Sequence, residues 1–183
     1  STLYIKSNGE ILCNDDFGER VSLGSCDSNG EATSIHDTLN NDRYKSIRTA
    51  LQSGEVPWPN VCENCSFFRP DEHYSNDLLK DRILQKIQFE SSLACALKCP
   101  QCSNLIQIKT RTGSRHFSPE SMSDLLHDLK KNEYQIRSIE YCGQGEPLNN
   151  PRFPELLATA RRIFPSTLQR VITNGNHDYS KTM

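Results

Sequence analysis

Three cysteines, Cys95, Cys99 and Cys102, stand three residues and then two residues apart in the stretch from Leu93 to Cys102. Thiols so closely set dictate a tight loop and limit what that loop can be for. Cys99 and Cys102 are too near in sequence for a comfortable disulfide but well spaced for chelation. Three thiolates on one loop can ligate three irons of a [4Fe-4S] cube and leave the fourth without a protein ligand. An iron with an open position can take a substrate or cosubstrate. A short strand, Ile87-Gln88-Phe89, leads into the loop.

Cys13, Cys26, Cys62 and Cys65 precede this loop and Cys142 follows it. Disulfide frameworks suit secreted chains shorter than about 100 residues. This chain has 183 residues and two CxxC pairs, Cys62/Cys65 and Cys99/Cys102, so metal or cluster ligation is the expectation. Thiols kept for ligation imply a reducing compartment, the cytoplasm. A net charge of −2 gives no basic field for nucleic acid or an anionic membrane. No signal peptide is readable, and no apolar run approaches the roughly 20 residues of a membrane span.

The pattern changes along the chain. Residues 1–68 read as a small cysteine-rich α+β segment. Leu3, Ile5, Ile11 and Leu12 flank Asn8-Gly9, a hairpin signal. A helix is expected from the Ser34 cap to Ser53-Gly54, with Ile35, Leu39, Ile47 and Leu51 on its apolar face. Residues 69–86 read as a polar linker. From 87 to 183 strands alternate with helices: Ile87–Phe89, a helix capped by Ser118, Ile136–Tyr141, a helix opened by Pro151, and Leu168–Thr173. Met122, Leu125, Leu126 and Leu129 share one face of the first helix. Such alternation predicts an α/β fold with parallel strands and helices outside the sheet.

In parallel α/β architectures the reactive groups gather on loops after the strand C-termini. The cysteine loop follows the first of these strands. Tyr141-Cys142-Gly143-Gln144-Gly145-Glu146-Pro147-Leu148 follows the second, and Asn174-Gly175 the third. All three are expected at one site. The two longer motifs, in this order and spacing, resemble those of radical S-adenosylmethionine (radical SAM) enzymes. The resemblance implies the start of a partial (β/α) barrel. It also implies that Cys95, Cys99 and Cys102 hold a [4Fe-4S] cluster. Gly143, Gly145, Glu146 and Pro147 match the loop that holds the methionyl amino group of S-adenosylmethionine, and Asn174 stands where the family's third strand often ends in Thr-Asn-Gly. Gly145 would let a ligand approach the backbone, and Glu146 could accept charge-assisted hydrogen bonds from an ammonium. Gln101 departs from the aromatic or bulky apolar residue frequent before the third cysteine. Cys142 reads as a small buried residue. Partners for His36, His73, His116, His127 and His177 are not readable.

Cys13, Leu23-Gly24, Arg48 and Cys62-Glu63-Asn64-Cys65 resemble the SPASM/twitch extension of the same enzymes, which carries auxiliary iron–sulfur clusters. Cys13, Cys26, Cys62 and Cys65 would then ligate one auxiliary cluster; by spacing alone a four-cysteine zinc site fits as well. The extension normally follows the barrel, whereas here it precedes the cysteine loop. Only three of the barrel's strands are readable, so a fragment lacking the ribose-contacting strands is expected.

The resemblance implies reductive cleavage of S-adenosylmethionine to a 5′-deoxyadenosyl radical that modifies an unknown peptide or small molecule. The electron would come from a donor such as a flavodoxin or ferredoxin. The competing expectation is a non-catalytic zinc protein, stapled at two cysteine sites, that binds partners. A plain electron carrier would place four thiolates on each cluster and have no use for Gly143 to Pro147.

Overall fold

The computed structural model describes residues 2–13, 21–26, 34–65, 82–100, 102, 109–110 and 113–176. Its strands are β1 (Thr2–Ile5), β2 (Glu10–Leu12), β3 (Ser22–Ser25), β4 (Ile83–Phe89), β5 (Gln135–Tyr141) and β6 (Leu168–Val171). They form a single six-stranded sheet in the order β3-β2-β1-β4-β5-β6. β1 and β2 form the hairpin expected at Asn8-Gly9: Gly9 has φ 83°, and the Lys6 N–H donates to the Glu10 carbonyl at 2.9 Å. β2 is antiparallel to β1 and β3 antiparallel to β2, while β1, β4, β5 and β6 run parallel to one another. The fold is mixed α/β with a mostly parallel sheet.

The parallel pairing of β1 with β4 carries the sheet across the expected division into residues 1–68, 69–86 and 87–183. Thr2 lies opposite Lys86 and Ile5 opposite Phe89. β4 also begins earlier than expected, because Ile83 to Lys86 pair with β5 or β1 and so belong to the sheet rather than to a linker. Residues 69–81 of the expected linker, with 66–68 before them, lie outside the described residues.

The helices are α1 (Ile35–Asn40), α2 (Asp42–Gln52), α3 (Pro59–Cys62), α4 (Pro119–Lys131) and α5 (Phe153–Ile163). The single helix expected after Ser34 is two. Asn41 adopts an extended conformation, φ −68° and ψ 165°, and its side chain accepts the Tyr44 N–H at 2.7 Å to start α2. Its amide also donates to the Leu23 carbonyl at 2.8 Å, which rewards the break by tying it to β3. The two caps read from the sequence are present: Ser34 accepts from the Asp37 N–H and Ser118 from the Ser121 N–H. α5 starts at Phe153, slightly after Pro151.

Because β4, β5 and β6 are added in one direction, right-handed crossovers put α4 and α5 on the same side of the sheet. The row Ile11, Ile5, Phe89, Tyr141 and Val171 runs across that side. Phe89 stacks on Tyr141 at 6.3 Å, and Phe153 of α5 meets Tyr141 edge-on at 5.2 Å. Each large apolar side chain buried here contributes about 1.5–3 kcal/mol. The opposite side is more polar. Its row reads Leu12, Tyr4, Gln88, Glu140 and Arg170, with Glu140 held by Lys86 at 3.2 Å and Arg170 at 3.4 Å. Asp128 of α4 accepts from Ser34 Oγ at 2.9 Å and from the His36 N–H at 3.0 Å, so α1 is fastened to the later half of the chain. Among the described residues no helix is long and apolar enough to cross a membrane.

Candidate functional site

The loop after β4 is anchored at its base. Glu90 N–H extends the ladder to Ile5 at 2.8 Å, Leu93 N–H donates to the Arg115 carbonyl at 2.8 Å, and Phe117 N–H to the Ser91 carbonyl at 2.9 Å. Beyond this base Cys95 and Cys102 are half-buried and Cys99 is exposed. Pro100 sits at the second position of a turn closed by the Cys102 N–H on the Cys99 carbonyl at 3.0 Å. That turn brings the backbones of the second and third cysteines together.

The loop after β5 lies against the cysteine loop. A Cβ on Gly145 would fall inside van der Waals contact of the Ser92 carbonyl oxygen and 2.5 Å from the Leu93 carbonyl carbon. Only glycine permits that approach. Glu146 N–H and Asn149 Nδ2 both donate to the Ala94 carbonyl, at 2.9 and 3.2 Å. Ser91 Oγ donates to the Pro147 carbonyl at 3.1 Å, and Asn150 Nδ2 bonds the Ser91 and Phe117 carbonyls at 2.8 and 2.9 Å.

The loop after β6 completes the patch through Glu146, which is 2% exposed. Its Oε1 accepts from Thr173 Oγ1 at 2.7 Å and Leu148 N–H at 3.1 Å, and its Oε2 from Asn174 N–H at 2.8 Å. Asn174 Nδ2 reaches Cys95 Sγ at 3.5 Å. Cys95, Gly145, Glu146 and Asn174 are therefore brought together, from three strand ends, as the strand order requires. Within this patch the Glu146 carboxylate ties the second loop to the third, and the close approach at Gly145 is to protein backbone. The donor set suits an iron–sulfur group in chemistry and access: three thiols on one loop, none of them in the core. Among the described residues no three or more His, Cys, Asp or Glu side chains form a metal-binding group.

The N-terminal cysteines divide. Cys13 follows β2, Cys62 ends α3, and Cys65 follows in the next turn, where its N–H donates to the Cys62 carbonyl at 3.1 Å. Burial pushes the Cys13 and Cys62 thiols up, opposed by backbone hydrogen bonds; the charges of Cys65 and Cys62 raise Cys13 further, and that of Cys65 raises Cys62. This repulsion couples the three thiols electrostatically, but they do not form a metal-binding group among the described residues. Beside them burial pushes the Tyr44 hydroxyl up to about 12, and Arg48 lies over its ring at 5.0 Å. Cys26 has a different setting: it is buried in the core and its thiol donates to the Gly9 carbonyl at 3.2 Å.

Any metal bound there would have to displace protons from raised thiols, so its affinity should rise with pH. Titrating zinc into the full chain at several pH values checks this. Cys13→Ala, Cys62→Ala and Cys65→Ala should each weaken the N-terminal centre, and Cys26→Ala should affect it least. Unaltered N-terminal metal binding in Cys13→Ala would refute the grouping.

Of the histidines, His116 bridges to Ser92 at the base of the cysteine loop, and its Nδ1 is buried without a hydrogen-bond partner among the described residues. Burial and Arg115 lower its pKa. His36 meets Tyr134 at 3.3 Å, His127 Nδ1 lies 2.8 Å from the Ser123 carbonyl oxygen, and His73 and His177 lie outside the described residues. Cys142 is buried, as its reading as a small core residue requires. Sequence reasoning missed Glu90, Thr173, Asn149 and Asn150. Glu90 alone gave a signal, an acidic residue directly ending an apolar strand. Comparison with known protein families, curated proteins and solved structures found no match to this chain.

Proposed function

We propose that this chain is a radical SAM iron–sulfur protein. The observation that carries the reading is the joining of three strand-end loops at one patch, with the cysteine loop, the Gly145-Glu146 loop and Asn174 in mutual contact. A sheet that grows in one direction with helices on one side is also how a (β/α) barrel begins, and we read the architecture as part of such a barrel.

Cys95, Cys99 and Cys102 would hold the cluster. A cluster held there would supply one-electron chemistry: an electron from a flavodoxin- or ferredoxin-like donor would allow reductive cleavage of S-adenosylmethionine to methionine and a 5′-deoxyadenosyl radical, which would take a hydrogen from a peptide or small-molecule substrate. The chain's own residues supply position. Gly145 keeps the second loop flat on the cysteine loop, Pro147 starts the short turn Pro147–Asn149 capped by Glu146, and Glu146 holds Asn174 near Cys95. Gly143 and Gln144 would border the cosubstrate's amino group. Cys13, Cys62 and Cys65, with Cys26 the fourth expected ligand, would hold one auxiliary iron–sulfur cluster or zinc. A reducing cytoplasm suits this set of thiols.

The experiment is anaerobic reconstitution followed by titration with S-adenosylmethionine while the cluster's spin signal is recorded. Binding should be weak, with Kd no tighter than about 1 mM. The described sheet ends at β6, where Leu168 and Ile172 are 50% and 58% exposed, so ribose and adenine would lie beside an open edge rather than in a closed pocket. Micromolar binding with release of 5′-deoxyadenosine on reduction would overturn the open-edge argument. A colourless reconstituted protein holding zinc alone would overturn the family reading.

A further inference from the structure

Glu90 is the first residue past β4 and is 0% exposed. Burying a carboxylate costs several kcal/mol unless its oxygens are satisfied, so its partners indicate what it is kept for. Oε1 accepts from the Ser7 N–H at 3.2 Å. Oε2 accepts from Tyr4 Oη at 2.9 Å and from the Gln144 N–H at 3.2 Å. Tyr4 is in β1, Ser7 is in the hairpin turn that follows it, and Gln144 lies in the middle of the loop after β5. One side chain therefore joins the N-terminal hairpin to a loop of the candidate site.

Gly143 is shaped to this pair. Its φ is 147°, and a Cβ there would stand 2.8 Å from Glu90 Cγ and 2.9 Å from both Glu90 Cβ and Tyr4 Oη. The Glu90–Tyr4 contact by itself therefore requires glycine at this position.

We propose that Glu90 is a positioning residue of the cofactor site, holding the Gly143–Glu146 loop against the hairpin of β1 and β2 so that the hairpin is a working part of that site. The proposal rests on the radical SAM reading only for the identity of the cofactor; the positioning itself can be tested without it. A carboxylate offers acceptors on both oxygens, whereas the amide of Glu90→Gln offers one. Whichever way that amide turns, its NH2 faces a backbone N–H, and either Ser7 or Gln144 loses its acceptor.

Amide hydrogen exchange on the full chain reads this directly. In Glu90→Gln the Ser7 or Gln144 amide should exchange at least about tenfold faster, the factor that corresponds to ~1.4 kcal/mol. The Ile87 and Ile139 amides, deep in β4 and β5, should change far less. Protection of both Ser7 and Gln144 within twofold of wild type overturns the proposal, and so does an equal acceleration at Ile87 and Ile139, which would mark a purely global loss of stability. If Glu90→Gln does not fold, Glu90→Asp decides: it keeps the charge but draws the carboxylate back by one methylene, and the Ser7 or Gln144 amide should then exchange at least about threefold faster with Ile87 unchanged, no change at either amide refuting the tether. In the reconstituted protein, millimolar S-adenosylmethionine should perturb the cluster's spin signal in wild type and less in Glu90→Gln at equal iron content. An equal perturbation in both would overturn the link to the cofactor site. If wild type shows none while exchange changes as stated, it is the radical SAM reading that fails.

Discussion

Changing Cys95, Cys99 and Cys102 together to alanine should remove about four irons per chain from the reconstituted protein, together with their charge-transfer absorption. The effect should be all or none, because among the described residues no other thiol opens onto the loop. Cys142, the next thiol in sequence, is buried at the end of β5 rather than open to the loop. The substitutions should leave the fold intact, since none of the three side chains belongs to the hydrophobic core. Any metal held by Cys13, Cys62 and Cys65 should stay, because Cys13 follows β2 and Cys62 and Cys65 lie at and after the end of α3, all outside the substituted loop. Iron and sulfide analysis beside a circular dichroism spectrum measures all of this. Iron content unchanged by the triple substitution would end the cluster assignment.

A single methyl group should have the largest effect on stability. Gly145→Ala would bring a carbon to 2.5 Å from the Leu93 carbonyl carbon and 2.7 Å from Leu93 Cα, both backbone atoms that cannot swing aside. Overpacking in a formed interior costs about 1–3 kcal/mol, and displacing the loop would add the loss of the Glu146 and Asn149 hydrogen bonds to Ala94. We expect a loss of at least about 3 kcal/mol, which for a chain of this length lowers Tm by about 6–12 °C. Gly54→Ala is the control. Gly54 has φ 73°, but a Cβ there would meet nothing within 4 Å, so it should cost about 1 kcal/mol from backbone strain alone. A Gly145→Ala protein as stable as Gly54→Ala would mean that the second loop does not rest on the cysteine loop.

What could be read from the sequence was local. The Asn8-Gly9 turn, the Ser34 and Ser118 caps and the apolar face from Met122 to Leu129 each depend on residues within a turn or two of one another. The convergence of three loops was also legible, because strand–helix alternation fixes which strand ends share an edge. The division of the first helix at Asn41 was harder to read, since its reward is a hydrogen bond to Leu23 that no helical periodicity encodes. The pairing of β1 with β4 had no signal of its own: Leu3 and Ile5 read equally well as part of a self-contained hairpin unit. Glu146 was legible as important but not in its contacts. Its partners Thr173 and Asn174 lie on another strand end, and a carboxylate suited to an ammonium is equally suited to backbone and hydroxyl donors.

The parallel pairing of β1 with β4 also sets an order of events during synthesis. Thr2 leaves the ribosome long before Lys86, its partner, and at about 5–20 residues per second the wait is roughly 4–17 s. Through that interval β1 has β2 on one side and an open edge on the other, with Leu3 and Ile5 awaiting the helices that will cover them. Non-local pairings of this kind slow folding because the loop must close before any contact rewards it. A nascent chain halted before β4 therefore presents an unpaired apolar strand, the state in which this protein would most need a chaperone.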